Sequence, residues 1–187
     1  MFLNLFSKKP KISARSIDQD EVVEYSAKVA AEAHFLALKV IENAGLNKGA
    51  EYADVMRAAT FALFFIVKRE IHGAFGDSGS ILFDLMLHHM INYLVVHLKP
   101  TIPVKAYQDQ TLKYYYVDQD EYMKCRKWTS DGDEPQSGTL LWEISKRLTK
   151  VSTGSKDVAI IYVNAEAFVD AVVAINPKKN LSRLICV

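Results

Sequence analysis

Cysteine is scarce in this chain. Cys125 and Cys186 are the only two in 187 residues, too few for the disulfide framework of a small secreted domain, so a reducing compartment suits it better. Net charge is missing as well, with 23 basic side chains against 22 acidic ones. Binding a polyanion by counterion release needs a cationic surplus on some face, so overall charge gives no attraction for nucleic acid. Long apolar runs are absent too: residues 58–67 form a short one, and residues 85–98 are interrupted by His88, His89, Asn92 and His97. Neither reads as a membrane span.

Other signatures are also lacking. The apolar residues at the start precede their positive charges, the reverse of the order in a secretory signal. No HExxH, no Glu-x-x-His pair and no repeated His-Asp doublet occurs. The glycine-rich stretch from Gly73 to Ser80 lacks the Gly-Lys-Ser/Thr ending of a phosphate-binding loop and follows a helical pattern instead of a strand. A helix end followed by a Ser or Asp cap accounts for it.

What is present is ordinary globular composition, 50% apolar and 24% charged, in a length that fits one domain with a buried core. Composition shifts at Asp18: residues 1–17 carry four positive charges and no negative ones, whereas residues 18–44 carry six acids and two lysines. This divides the chain into a basic, apolar arm (1–17) and a helical domain (18–187). Asp18 with Glu21 has capping-box spacing, with Ile17 and Val22 placed to staple across it. The same four residues return at Asp118, Gln119, Asp120 and Glu121, which predicts a second capped start there.

Apolar residues recur at helical spacing over most of the domain. The expectation is an all-α bundle of about six helices, over 18–44, 50–72, 80–98, 118–129, 140–150 and 158–175, with residues 130–138 as an exposed loop. Segment 101–117 suits either a strand or a helix, and helix is favoured. The second and third helices are apolar on almost every side, which predicts burial, including against another subunit.

The third helix carries the most suggestive polar pattern. Asp84, His88 and Asn92 fall on one narrow stripe, and a carboxylate and an imidazole four residues apart can share a metal ion in a helical bundle. With His72 they form a candidate polar cluster between the second and third helices. Asp84 and His88 are the candidate metal ligands; the competing reading is a solvated helix edge, and no cofactor is expected. Cys125 stands beside Lys124, Arg126 and Lys127, where cations can favour a thiolate, but packing is the simpler role. Tyr107, Tyr114, Tyr115, Tyr116, Tyr122 and Trp128 alternate with lysines and arginines as in single-strand binders. Asp109, Asp118, Asp120 and Glu121 offset that charge, so protein contact or core packing ranks above nucleic acid.

The arm offers Phe2, Leu3, Leu5 and Phe6 followed by Lys8 and Lys9, a pairing suited to a protein groove or to shallow insertion at an anionic membrane surface. The functional expectation is a non-enzymatic helical interaction or scaffold module, cytoplasmic or peripheral to a membrane, that contacts a protein partner or a second copy of itself. The alternative is a bundle enzyme or a ligand- or metal-binding protein with its site around His72, Asp84 and His88.

Overall fold

The computed structural model describes residues 11–13, 16–46, 51–125, 128 and 137–185, and over them the chain is all-α, with no strand. Helix α1 (Gln19–Asn43) starts as its capping chemistry dictates: Asp18 is extended and its carboxylate accepts from the Glu21 N–H at 3.1 Å. Gly45, at φ +68°, turns the chain out, and the Gly45 and Leu46 N–H groups donate to the Glu42 and Ile41 carbonyls.

Helix α2 (Glu51–Phe75) runs a turn beyond its expected end at His72, straight through Gly73. A single 3-10 turn, Gly76–Gly79, then leads into α3 (Ser80–Leu98). The expected side-chain cap on α3 is not made, because Gly79 occupies the capping position. The Ser78 hydroxyl instead donates to the Phe75 carbonyl at 2.8 Å and accepts from the Ile12 N–H at 3.3 Å. Gly79 is buried at this corner, where an added Cβ would lie 2.5 Å from Ile71 Cγ2. The α2–α3 packing therefore depends on the missing side chain.

The main correction concerns residues 101–129. Segment 101–117 and the supposed capped start at Asp118 belong to one helix, α4 (Val104–Met123), which begins after Pro103 without a side-chain cap. Asp118 lies deep inside it. Helix α5 (Leu140–Thr153) is capped by Thr139, α6 (Val158–Ile175) by Asp157, and Asn176 with Pro177 ends α6 and starts the short α7 (Pro177–Leu181). Most of the loop expected at 130–138 lies outside the described residues.

Helix α2 is the axis of the bundle, packed against α1, α3, α4 and α5. Phe61, Phe64 and Phe65 are buried, each contributing about 1.5–3 kcal/mol by leaving water. The apolar circumference of α2 is thus covered by the chain's own helices. Helices α1, α5 and α6 form the other side, joined by a buried polar link: Asn43 Nδ2 donates to Asn164 Oδ1 at 2.9 Å, and Asn164 Nδ2 to Thr149 Oγ1 at 3.0 Å. The Asp18 N–H donates to the Leu184 carbonyl at 3.0 Å, and Ile17 bridges Ile185.

By length and composition alone, residues 52–98 and 158–181 are apolar enough to cross a membrane, which the sequence reading did not expect. The first stretch takes in the core helix α2. In the second, α6 leaves Val158, Tyr162, Val163 and Val173 exposed, with Glu166 and Asp170 exposed among them.

Candidate functional site

The inner face of α4 is unusual for a buried surface. At steps of three and four residues it presents Tyr107, Thr111, Tyr115, Asp118, Gln119 and Tyr122, all buried, so polar groups point where a bundle helix ordinarily supplies leucines. The rings carry the packing. Phe61 meets Tyr115 edge-on at 5.5 Å between centroids, and Phe65 lies 5.3 Å from Tyr122. The hydroxyls of Tyr107, Thr111, Tyr115 and Tyr122 have no hydrogen-bond partner among the described residues.

Lys68 of α2 enters this face. Its ammonium lies 5.1 Å from the centre of the Phe83 ring and 6.0 Å from that of Tyr115, and donates to Gln119 Oε1 at 3.3 Å. Burial pushes its pKa below the ordinary lysine value, while Asp84 and Asp120 act the other way without offsetting it. Neither acid reaches ion-pair distance: among the described residues no carboxylate lies within 4 Å of the Lys68 amine, nor of the neighbouring Arg69 guanidinium. Exposed lysines elsewhere on the chain, such as Lys39 and Lys105, do have carboxylate partners.

Lys68 and His72 stand on the wall between two cavities. One, of about 400 Å³, opens toward the α2–α3 corner and includes Asp77, Phe83, Asp84 and Tyr116. The other, of about 550 Å³, lies between α2 and the C-terminal end of α4 and is lined by Phe65, Lys68, Arg69, His72, Gly73, Tyr122, Met123 and Cys125. Among the described residues, carboxylates line the first and not the second. Both volumes suit small-molecule binding.

The candidate polar cluster is divided by this arrangement. His72 and Asp84 line the same cavity. His88 and Asn92 belong elsewhere: Asn92 Nδ2 donates to His88 Nε2 at 3.0 Å, and Gln108 Nε2 of α4 donates to Asn92 Oδ1 at 3.1 Å. This chain ties α3 to α4, so part of the stripe has a structural use. Asp84 and His88 are both exposed, with no hydrogen bond between them, and no three His, Cys, Asp or Glu side chains among the described residues are grouped to hold a metal ion. His72 Nδ1 lies 3.9 Å from Asp77 Oδ1, both well exposed.

The remaining candidates sort by burial. Of the tyrosines, Tyr107, Tyr115 and Tyr122 are core while Tyr114 and Tyr116 face solvent, and Trp128 packs near Phe168 at 6.0 Å. Cys125 has its thiol pKa pushed up by burial, with Glu143 adding to the effect and Lys146 and Arg69 opposing it, the reverse of an activated thiolate. Phe2, Leu3, Leu5, Phe6, Lys8 and Lys9 lie outside the described residues. Sequence reasoning missed Lys68 and the buried polar face of α4. The available signal was a lone lysine late in an apolar helix, together with polar residues at positions 107, 111, 115, 119 and 122. No family model, curated protein or solved structure matches this chain.

Proposed function

We propose that the chain is a non-enzymatic helical binding module whose recognition surface is the cleft on both sides of Lys68, between α2, the start of α3 and α4. One observation carries this reading: two adjacent cations, Lys68 and Arg69, stand on the wall of a 550 Å³ cavity without a carboxylate partner among the described residues. Cations lining a concave, largely apolar surface are how ligand sites fix orientation.

The N-terminal arm is the second element of this reading. Ile12 is buried and its N–H bonds to Ser78, in the turn that rims the smaller cavity. In sequence Ile12 follows Phe2, Leu3, Leu5, Phe6, Lys8 and Lys9, whose apolar and basic side chains suit contact with a protein partner.

The test is chemical-shift mapping of the full chain against a fragment panel of mixed charge. Saturable shifts are expected to concentrate at residues 65–73 and 115–125. Hits concentrated at His88, Asn92 and Gln108, or no saturable hit anywhere, would overturn the reading.

A further inference from the structure

We infer that the larger cavity takes a small organic anion with an apolar body, an aliphatic or aryl-alkyl carboxylate, whose head group sits on Lys68 and Arg69 and whose body lies against Phe65, Tyr122 and Met123. This rests on the binding reading above and adds the chemistry of the ligand.

The sign of the ligand follows from the distribution of charge around Lys68. On the side of the smaller cavity the wall carries Asp77 and Asp84 with Lys68, so a cation or an anion would meet charge of both signs there. On the other side the described residues of the wall include Lys68, Arg69 and His72 and no carboxylate. Lys68 and Arg69 thus favour an anion at their end of the cavity, while Glu143 and Glu121 act on Cys125 at the other.

Energetics favour the same sign. Taking an ammonium partly out of water is unfavourable unless an opposite charge comes with it. Here the charge is half-buried against two aromatic rings, and its protein hydrogen bond is a long one to a neutral amide oxygen. A carboxylate would supply the missing counter-charge and accept the remaining ammonium protons, forming a charge-assisted bond. Arg69 is exposed at the rim, where its guanidinium can close on the second carboxylate oxygen.

Size and wall chemistry set the rest of the ligand. A volume of about 550 Å³ far exceeds what an inorganic ion needs, and Phe65, Tyr122 and Met123 offer aromatic and thioether surface that only an apolar body would use. Tyr122 also brings a buried hydroxyl without a partner among the described residues.

Octanoate is the probe, titrated calorimetrically and by chemical shift into the full chain, beside octanamide as its neutral counterpart and acetate as its truncated one. Octanoate should saturate, with shifts centred on residues 65–73 and 119–125. Octanamide should bind at least about tenfold more weakly, as expected for loss of a charge-assisted hydrogen bond, and acetate should not saturate over the same range. Lys68→Gln should weaken octanoate by about tenfold or more and Arg69→Gln by a smaller factor. Lys39→Gln, whose parent lysine pairs with Glu42 on the surface, should leave affinity unchanged. Arg69→Gln alters an exposed residue and keeps the test open if Lys68→Gln fails to fold. Equal binding of octanamide and octanoate at the cleft, or unchanged octanoate affinity in both cleft variants, would overturn this inference and leave the binding reading standing. No saturable binding at the cleft by probes of any charge would overturn both.

Discussion

Asp118 Oδ1 lies 3.2 Å from Arg147 Nε, joining the inner face of α4 to α5. The two ends of the pair are not equivalent, because the aspartate side chain is only 7% exposed and the arginine 36%. Burial raises the Asp118 pKa, and the charges of Arg147 and Arg57 oppose the rise without cancelling it.

The asymmetry predicts unequal effects of removing each partner. Arg147→Met strands a buried carboxylate and should destabilise the fold by about 2–3 kcal/mol, a value below that for breaking a fully buried pair because Arg147 is partly solvated. Asp118→Asn leaves a cation that water can reach and should cost about 1 kcal/mol. Urea unfolding of both variants at neutral pH measures this, and a larger loss in Asp118→Asn would contradict it.

The same pair predicts the direction of a pH effect. A carboxyl whose folded pKa exceeds its ordinary value of 3.8 holds its proton in the native state after the unfolded chain has lost it. Stability then falls as pH rises from 3.8 to the folded pKa, and is level on either side. Subtracting the Asp118→Asn profile from that of the wild type isolates this contribution, and a difference that climbs with pH over that window would refute it.

Identical sequences at Asp18–Glu21 and Asp118–Glu121 have different uses. Asp18→Ala and Asp157→Ala each remove a side-chain cap and should lower stability by about 1 kcal/mol. Asp120→Ala, in the repeat that caps nothing, should stay within about 0.5 kcal/mol of wild type. Thermal unfolding of the three variants measures this, and a loss at Asp120→Ala equal to that at Asp18→Ala would contradict it.

Glycines near the cleft provide a paired test. Gly79→Ala places a Cβ against Ile71 Cγ2 and should destabilise by about 1–3 kcal/mol. Ile71→Leu removes that β-methyl, so the double variant should recover part of the loss. Gly73 lies within α2 with nothing within 4 Å of an added Cβ, and Gly73→Ala should stabilise by up to about 1 kcal/mol. Equal effects at the two glycines would show that the close approach at Gly79 has no energetic weight.

These contrasts also show how far the sequence could be read. Helices α1, α3 and α6 were legible nearly to the residue because their signals are local: Asp18, the Lys99–Pro100 pair and Asn176–Pro177 act on their own helix ends. Residues 118–121 misled because a cap needs an extended residue before the first turn. Asp18 has that geometry, at φ −78° and ψ 105°, while Asp118 is preceded by helical residues and answered by Arg147 from another helix. The stripe on α3 was legible as a stripe, but whether His88 would meet Asp84 or Asn92 depended on Gln108 approaching from α4. The site itself was hidden for the same reason. In sequence Lys68 is only a lone lysine in an apolar helix, and its surroundings depend on α4 bringing Gln119 and Tyr115 against it.

The most direct test of the account is the titration of Lys68 itself, followed through its side-chain Cε resonance in the free protein and with octanoate at saturation. Asp84 of α3 and Asp120 of α4 are the acids that act on it. In the free protein the midpoint should fall below the ordinary 10.5, so stability rises with pH between that midpoint and 10.5 as the native state sheds a proton the unfolded chain retains. Octanoate should move the midpoint upward. A midpoint at or above 10.5 in the free protein, unmoved by octanoate, would contradict the claim that Lys68 is a half-buried charge waiting for an anionic partner.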